Sequence, residues 1–296
     1  MDRPEDKVLI MLSQKIGKNL KLLAGDSSGI MFLVGLFLLV MFIIMAVFAP
    51  YLAPYSPIKP TGAPLLPPQA GHIMGTDNLG YDVFSRVIFG SRMAFSIAAI
   101  ATVIAAAIGI PTGLIVGYIG GKLDSVVTMI MDSVYTFPGL ILAIAIAAML
   151  GQGLINISLS IAVVYIPTYY RVIRSQVVTI KSELYVEGAR AIGAKPPTIL
   201  SQYVLPNVLP STIVVLSMNI ADAIMTEAGL SFLGLGIAPP TPDWGYDLSK
   251  GQQFILQNDW WLVVFPGLAI ILIVLGFSMF SEGLNEYLNP NIGEKR

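Results

Sequence analysis

Apolar stretches of membrane-crossing length recur along the chain, separated by short polar segments. A helix needs ~20 apolar residues to cross the ~30 Å hydrocarbon core, because unpaired backbone polar groups are costly in lipid. Six runs qualify: 29–49, 93–118, 126–150, 154–173, 209–235 and 262–281. The pattern therefore predicts an all-α membrane protein with six transmembrane helices. Pro167 interrupts the fourth run, a kink that packing in a bundle tolerates. A charged segment, 1–28, precedes the first run. That run exceeds the 7–15 residues typical of a signal-peptide core and no small-residue cleavage site stands out after it, so it reads as a retained first helix.

Composition agrees. Hydrophobic residues make up 55% of the chain and charged residues 12%, with mean hydropathy +0.76. A soluble domain carries about 25% charged residues, so too little polar surface remains to coat a water-soluble globule. A net charge of −1 gives no support for nucleic-acid binding. The absence of cysteine excludes disulfides, thiolate metal sites and cysteine catalysis, and one histidine, His72, builds no histidine cluster.

Lys and Arg set the expected direction. With a cytoplasmic N-terminus, inside segments hold thirteen of the basic residues and outside segments four: Lys59, Arg86, Arg92 and Lys250. Both termini are expected inside a multi-pass cell-membrane protein. The expected organisation is a cytoplasmic segment 1–28, a first helix 29–49, an outer loop 50–92, a core of five spans over 93–283 with a cytoplasmic loop 181–206, and a cytoplasmic tail 284–296. Prolines 50, 54, 57, 60, 64, 67 and 68 predict an extended start to the first outer segment. Residues 82–92 read as a short amphipathic helix along the membrane surface. In the second outer segment, 236–261, Trp260 and Trp261 mark the entry of the last span.

The loop between the fourth and fifth spans is the most informative segment. Ser182 suits an N-cap, residues 183–192 a helix, Gly193 a left-handed C-cap, and Pro196 and Pro197 prevent continuation. Gly188, Ala189, Ala191 and Ala194 are small and let another backbone approach closely. Physical reasoning leaves two readings open: a knob that seats in a partner's groove, or a hairpin that links two spans.

Glu187-Gly188-Ala189, Gly193 after three residues, and Leu205-Pro206 further on resemble the EAA loop of ATP-binding-cassette (ABC) importer permeases. Gly188 and Tyr203 depart from its alanine and isoleucine. His72 to Asp77, Gly80-Tyr81-Asp82 and Ser85-Arg86 resemble the dipeptide/oligopeptide/nickel permeases, C-type subunit, with departures at Ile73 and Tyr81. So do Asp132, Phe137-Pro138, Glu227 to Gly236, Pro239-Pro240, Trp244-Gly245 and Pro266-Gly267. The resemblance covers nearly the whole chain. It implies a type I importer permease fold, with the loop as a coupling helix docking on an ATPase through Tyr185, Glu187, Gly188, Ala189, Arg190, Ala191, Gly193, Leu205 and Pro206. It also implies a homologous second permease, two ATPase subunits that carry ATP and Mg, and an extracytoplasmic solute-binding protein. Peptides are the favoured solute, with nickel and oligosaccharides as alternatives. A large ring in place of Ala189 is expected to block docking.

No phosphate-binding loop or catalytic set is present: Gly120-Gly121-Lys122 is followed by Leu123. The chain is expected to be non-catalytic and to hold no cofactor. Within the spans, Asp132, Asp222 and Glu227 are ionisable. A carboxylate at the bilayer centre costs ~2.5–3.5 kcal/mol, so each must face protein or water. Asn219 and Asp222, three apart, are expected to share a face lining the translocation path, or else to hydrogen-bond between helices. Glu227 points about 140° away and is expected to brace the outer end of the fifth helix. These carboxylates also keep an ion-coupled secondary transporter as an alternative, although no internal repeat supports it.

Overall fold

The computed structural model describes residues 27–288. The expected charged segment 1–28 lies outside the described residues except for its last two, and so does the expected tail 284–296 beyond residue 288. Nine α-helices of eight residues or more organise the described chain: α1 Ser27–Val47, α2 Val83–Ile119, α3 Gly121–Tyr135, α4 Gly139–Leu150, α5 Leu154–Ile180, α6 Leu184–Ala191, α7 Leu205–Phe232, α8 Trp244–Gly251 and α9 Trp261–Leu288. A helical turn, Pro196–Thr198, and a π-helical stretch, Ile199–Val204, lead into α7. Residues 48–82, with a helical turn at Ala49–Leu52, and residues 233–260, with α8 and a 3-10 stretch at Gln252–Gln257, are otherwise irregular and gather at one end of the bundle; α6 lies at the other.

The pattern of six straight spans is modified in three places. Four helical runs are long and apolar enough to cross a membrane, at Gly29–Val47, Val83–Ile119, Pro196–Phe232 and Trp261–Glu286. The expected third span, 126–150, is instead α3 and α4 joined at an 86° bend, a fifth crossing if the pair is counted as one. The break has a local cause. Thr136 and Phe137 donate back to Asp132 and Val134, then Pro138 offers no N–H and keeps an extended ψ of 120°. α5 is 27 residues long, but it carries Arg171 and Arg174 in its second half and is less apolar than the other long helices. Finally, the expected surface helix 82–92 is not separate. Asp82 caps α2 by accepting from Ser85 N at 2.8 Å, and nothing interrupts the helix before Ile119.

α2 and α5 form the most extensive helix pair. Their contact is a glycine repeat: a Cβ added at Gly109, Gly113 or Gly117 would meet Tyr169 Cβ at 2.6 Å, Tyr170 O at 2.8 Å or Val177 Cβ at 3.1 Å. Small residues four apart let membrane helices approach backbone to backbone, where dispersion and not the hydrophobic effect drives association. α1 lies along α9, and α7 packs on α2 and α9. The core where these meet includes Ile97, Ala101, Ile157, Ile224, Leu230 and Ile273, all with no exposed surface.

Trp261 begins α9, where the sequence placed the entry of the last span. It is buried, however, and its indole donates to Thr76 O at 3.2 Å. Trp244 is also buried and donates to Val87 O at 2.9 Å. These two rings lock the irregular end, while Trp260, next to Trp261, is exposed.

Candidate functional site

α6 is a two-turn knob held by a small apolar seat. Val186 and Ala189, three apart and therefore on one face, are its buried residues. Val186 packs with Ile173 and Val177 of α5 and with Ile199, Val204 and Val208 leading into and within α7. Tyr203 is half-buried against the same cluster. The start differs from expectation. Ser182 closes α5 by donating to Thr179 O at 2.8 Å, and extended Glu183 precedes the helix. The end follows the expected chemistry: Gly193 has φ +89°, its N–H reaches Arg190 O, and Ala194 N reaches Ala189 O, both at 3.0 Å. This pair of bonds is the Schellman closure, which a left-handed residue permits. Pro196 and Pro197 then begin the next helical run, where their missing donors are no loss.

The opposite face of the knob, at Leu184, Gly188 and Ile192, has no partner among the described residues. Leu184 and Ile192 are 83% and 84% exposed, and nothing lies within 4 Å of a Cβ built on Gly188 between them. Tyr185, Glu187, Arg190, Ala191 and Gly193 are exposed as well. Pro206 is exposed and Leu205 half-buried at the head of α7. Ala189 is the exception: at 4% exposure it faces the seat. A large ring there would disrupt the protein's own packing, so the expected docking test at Ala189 moves to Gly188.

The spans hold polar groups in three arrangements. Asn219 and Asp222, three apart, differ in exposure. Asn219 is 5% exposed, and its Nδ2, Thr102 Oγ1 of α2 and Tyr169 OH of α5 are buried without hydrogen-bond partners. Asp222 is exposed beside Met218 and Met225. Glu227 is buried near the C-terminal end of α7. Ser231 Oγ lies 2.9 Å from Glu227 Oε1 and 2.7 Å from Asp243 Oδ2, and Asp243 caps α8 through Tyr246 N at 3.0 Å. Ser231 thereby ties α7 to the segment that follows it. The third arrangement links α3 to α5. Asp132 lies 2.7 Å from Arg171, and Asp124 lies 2.5 Å from Arg174.

At the irregular end, Arg86 is a clamp. Its Nε and Nη2 donate to Asp247 at 3.0 and 2.6 Å, and Nη1 donates to Pro57 O at 2.9 Å and Pro240 O at 3.1 Å. Burial pushes the Asp247 carboxyl up to about 6, with Arg86 pulling the other way. Burial likewise raises Asp77, opposed by backbone N–H groups of Tyr81 and Leu79. His72 Nδ1 lies 2.9 Å from Asp82 Oδ1. A cavity of ≈ 590 Å³ opens between Asp77, Tyr81, Arg86, Tyr246, Asp247 and Lys250. Sequence reasoning singled out Ser85-Arg86 as part of a motif but missed Asp247, which lies 161 residues away.

Residues 109–294 match the family model of the binding-protein-dependent transport system inner membrane component. Residues 30–68 match the N-terminal transmembrane domain of oligopeptide transport permease C. The chain is 39% identical over 261 residues to the probable D,D-dipeptide transport system permease protein DdpC of Escherichia coli K12, covering 88% of this chain and 87% of that one. It is 40% identical to the dipeptide transport system permease protein DppC of Alkalihalophilus pseudofirmus, covering 88% and 86%. It is 37% identical to the glutathione transport system permease protein GsiD of Pectobacterium atrosepticum, covering 87% and 86%. A chain of the MetNI methionine ABC transporter in an inward-facing conformation is 18% identical, with TM-score 0.49, covering 66% of this chain and 94% of that one. With a family model across its helical core and relatives at this level over most of its length, the chain belongs to the binding-protein-dependent transport system inner membrane components, the permease subunits of ABC importers.

Proposed function

We propose that this permease conducts peptides across the cell membrane, driven by ATP hydrolysis on separate ATPase subunits that dock on α6. The observation that carries the docking reading is the two-sided character of the knob. Val186 and Ala189 fix it to α5 and α7, while Leu184, Gly188 and Ile192 present an unpartnered apolar edge with a glycine gap at its centre. A short helix seated on two long ones transmits force, because α5 and α7 cannot stay put when it is pushed. ATP and Mg would sit on the partner subunits. The peptide assignment draws on the dipeptide and glutathione systems to which the relatives belong.

A homologous second permease completes the proposed path, and a solute-binding protein delivers the peptide to the end formed by the two irregular segments. Both termini and α6 then lie in the cytoplasm. The exposed Asp222 face of α7 is proposed to border the path or the second permease, since a carboxylate there is costly against lipid. Glu227, with Ser231 and Asp243, is proposed to brace the outer end of α7. Asn219, buried like Thr102 of α2 and Tyr169 of α5, is proposed to face the bundle interior, not to line the path.

The test is Gly188→Trp in the complex with its partner subunits. The ring projects into open space, so the chain inserts and melts as the wild type does, while ATPase co-purification and ATP-driven uptake fall at least tenfold. Ala189→Trp instead lowers the melting temperature of the permease, because the ring overfills the seat. Full ATPase binding by Gly188→Trp would place the docking surface elsewhere.

A further inference from the structure

α3 and α5 are joined by two ion pairs of different character. Arg174 donates twice to Asp124, at 2.5 and 2.6 Å, with side-chain exposures of 31% and 17%. Thr128 adds a third contact to Asp124. Farther along, Arg171 Nη2 reaches Asp132 Oδ1 by one bond of 2.7 Å, and these side chains are 49% and 52% exposed. The Arg171 guanidinium lies 4.0 Å over the Tyr135 ring. No residue of α3 is buried. Its polar side, Asp124, Ser125, Thr128, Asp132 and Ser133, lines an open groove of ≈ 580 Å³ together with Thr136 just past its end and Arg174.

The depth of the second pair gives it meaning. α5 rises about 40 Å, and Arg171 stands about 14 Å from its α6 end, within the ~30 Å hydrocarbon thickness for a centred helix. Charged groups at that depth face protein or a water-filled cavity. Asp132 and Arg171 are half-exposed within this chain, and Asp132 lines the open polar groove, which gives water access to the pair. A half-exposed pair held by one bond contributes little net stability. This distinguishes it from the buried Arg86–Asp247 clamp, where four donated bonds fix the guanidinium. Each member of the exposed pair can therefore give up its partner for an equivalent charge. Tyr135 keeps the Arg171 guanidinium in place when Asp132 is withdrawn, because a cation over a ring face is attracted by its quadrupole.

We propose that Asp132 and Arg171 form an exchangeable ion pair on the wall of the solute path that binds a zwitterionic solute, its ammonium on Asp132 and its carboxylate on Arg171. This rests on the peptide-importer reading and assigns that reading a contact site. The bend at Pro138, just beyond Asp132, places the site where the wall changes direction.

The chain contains no cysteine, so a single introduced cysteine is its one thiol, and labelling is read on this subunit after the subunits are separated. In the complete importer complex, Ser133→Cys is expected to react with a charged, water-soluble methanethiosulfonate, whereas Phe37→Cys on α1 stays unlabelled. Dialanine slows labelling of Ser133→Cys several-fold; N-acetyl-dialanine, dialanine amide and sucrose do not. Adding Arg171→Gln removes the protection while labelling itself persists. An unreactive Ser133→Cys overturns the placement on a water-filled path. Protection that is absent, is equal for dialanine and its blocked forms, or survives Arg171→Gln overturns the exchange. Uptake of dialanine by the wild-type complex separates the two readings. Uptake without selective protection sinks only the ion-pair proposal; no uptake sinks the peptide-importer reading and the zwitterion assignment with it.

Discussion

Gly188 and Ala189 are adjacent small residues kept small for opposite reasons. A Cβ added at Gly188 meets none of the described residues within 4 Å, whereas Ala189 is pressed against the seat of α6. Overfilling a packed site costs about 1–3 kcal/mol, so only Gly188 separates docking from folding. Asp247 is the other residue with a measurable consequence. Its carboxyl sits at about 6 in the folded protein, above the 3.9 of an unfolded aspartate. The folded state therefore holds the proton more tightly, and the stability that Asp247 contributes falls as pH rises from about 4 to 6 and is level above that. Asp247→Asn is expected to flatten this part of the melting-temperature profile, measured in detergent between pH 4 and 7. A profile identical to the wild type would show that another group sets the slope.

At the scale of elements, the α2–α5 pair depends on glycine. A Cβ at Gly113 would approach Tyr170 O at 2.8 Å and Ile173 Cβ at 3.0 Å. The first is backbone and cannot swing aside, so the helices must separate. Gly113→Leu is expected to lower stability by about 1–3 kcal/mol or more, read as a reduced melting temperature in detergent, while Gly188→Leu on open surface leaves it unchanged. The seat of α6 explains how a two-turn helix stays in place, since isolated helices shorter than about 12 residues are marginal in water. Length and apolarity made the long helices legible in the sequence, and Gly193 with the two prolines made the end of the knob legible. The bend between α3 and α4 was not: apolar residues continue across Phe137-Pro138 and mask the missing donor. Nor was the continuity of α2 through 83–92, because polar residues in its first turns imitate a separate surface helix.

At the scale of the molecule, the bundle leaves one side of α7 uncovered. Met218, Asp222 and Met225 are exposed there, and a carboxylate facing lipid is unfavourable by ~2.5–3.5 kcal/mol at the bilayer centre. Water in the path or a second permease removes that penalty. Asp222→Asn is expected to insert normally and to alter uptake severalfold in the assembled complex; unchanged uptake kinetics at normal expression would exclude a path role. The irregular end behaves differently. Arg86, Trp244 and Trp261 knit the two loop segments to the helices, giving a firm surface rather than a pair of loose connections.

The sequence by itself determined that this is a helical membrane protein, that its longest apolar runs become its longest helices, and that a capped helix with small residues interrupts the spans. These follow from local causes: hydrocarbon thickness, missing proline donors and glycine's left-handed φ. Only the tertiary structure decided which side of that helix is free, that Asn219 turns inward while Asp222 turns outward, and that Asp247 pairs with Arg86. Helical spacing fixes the angle between two side chains but not which helices surround them, and no periodicity links residues 161 positions apart.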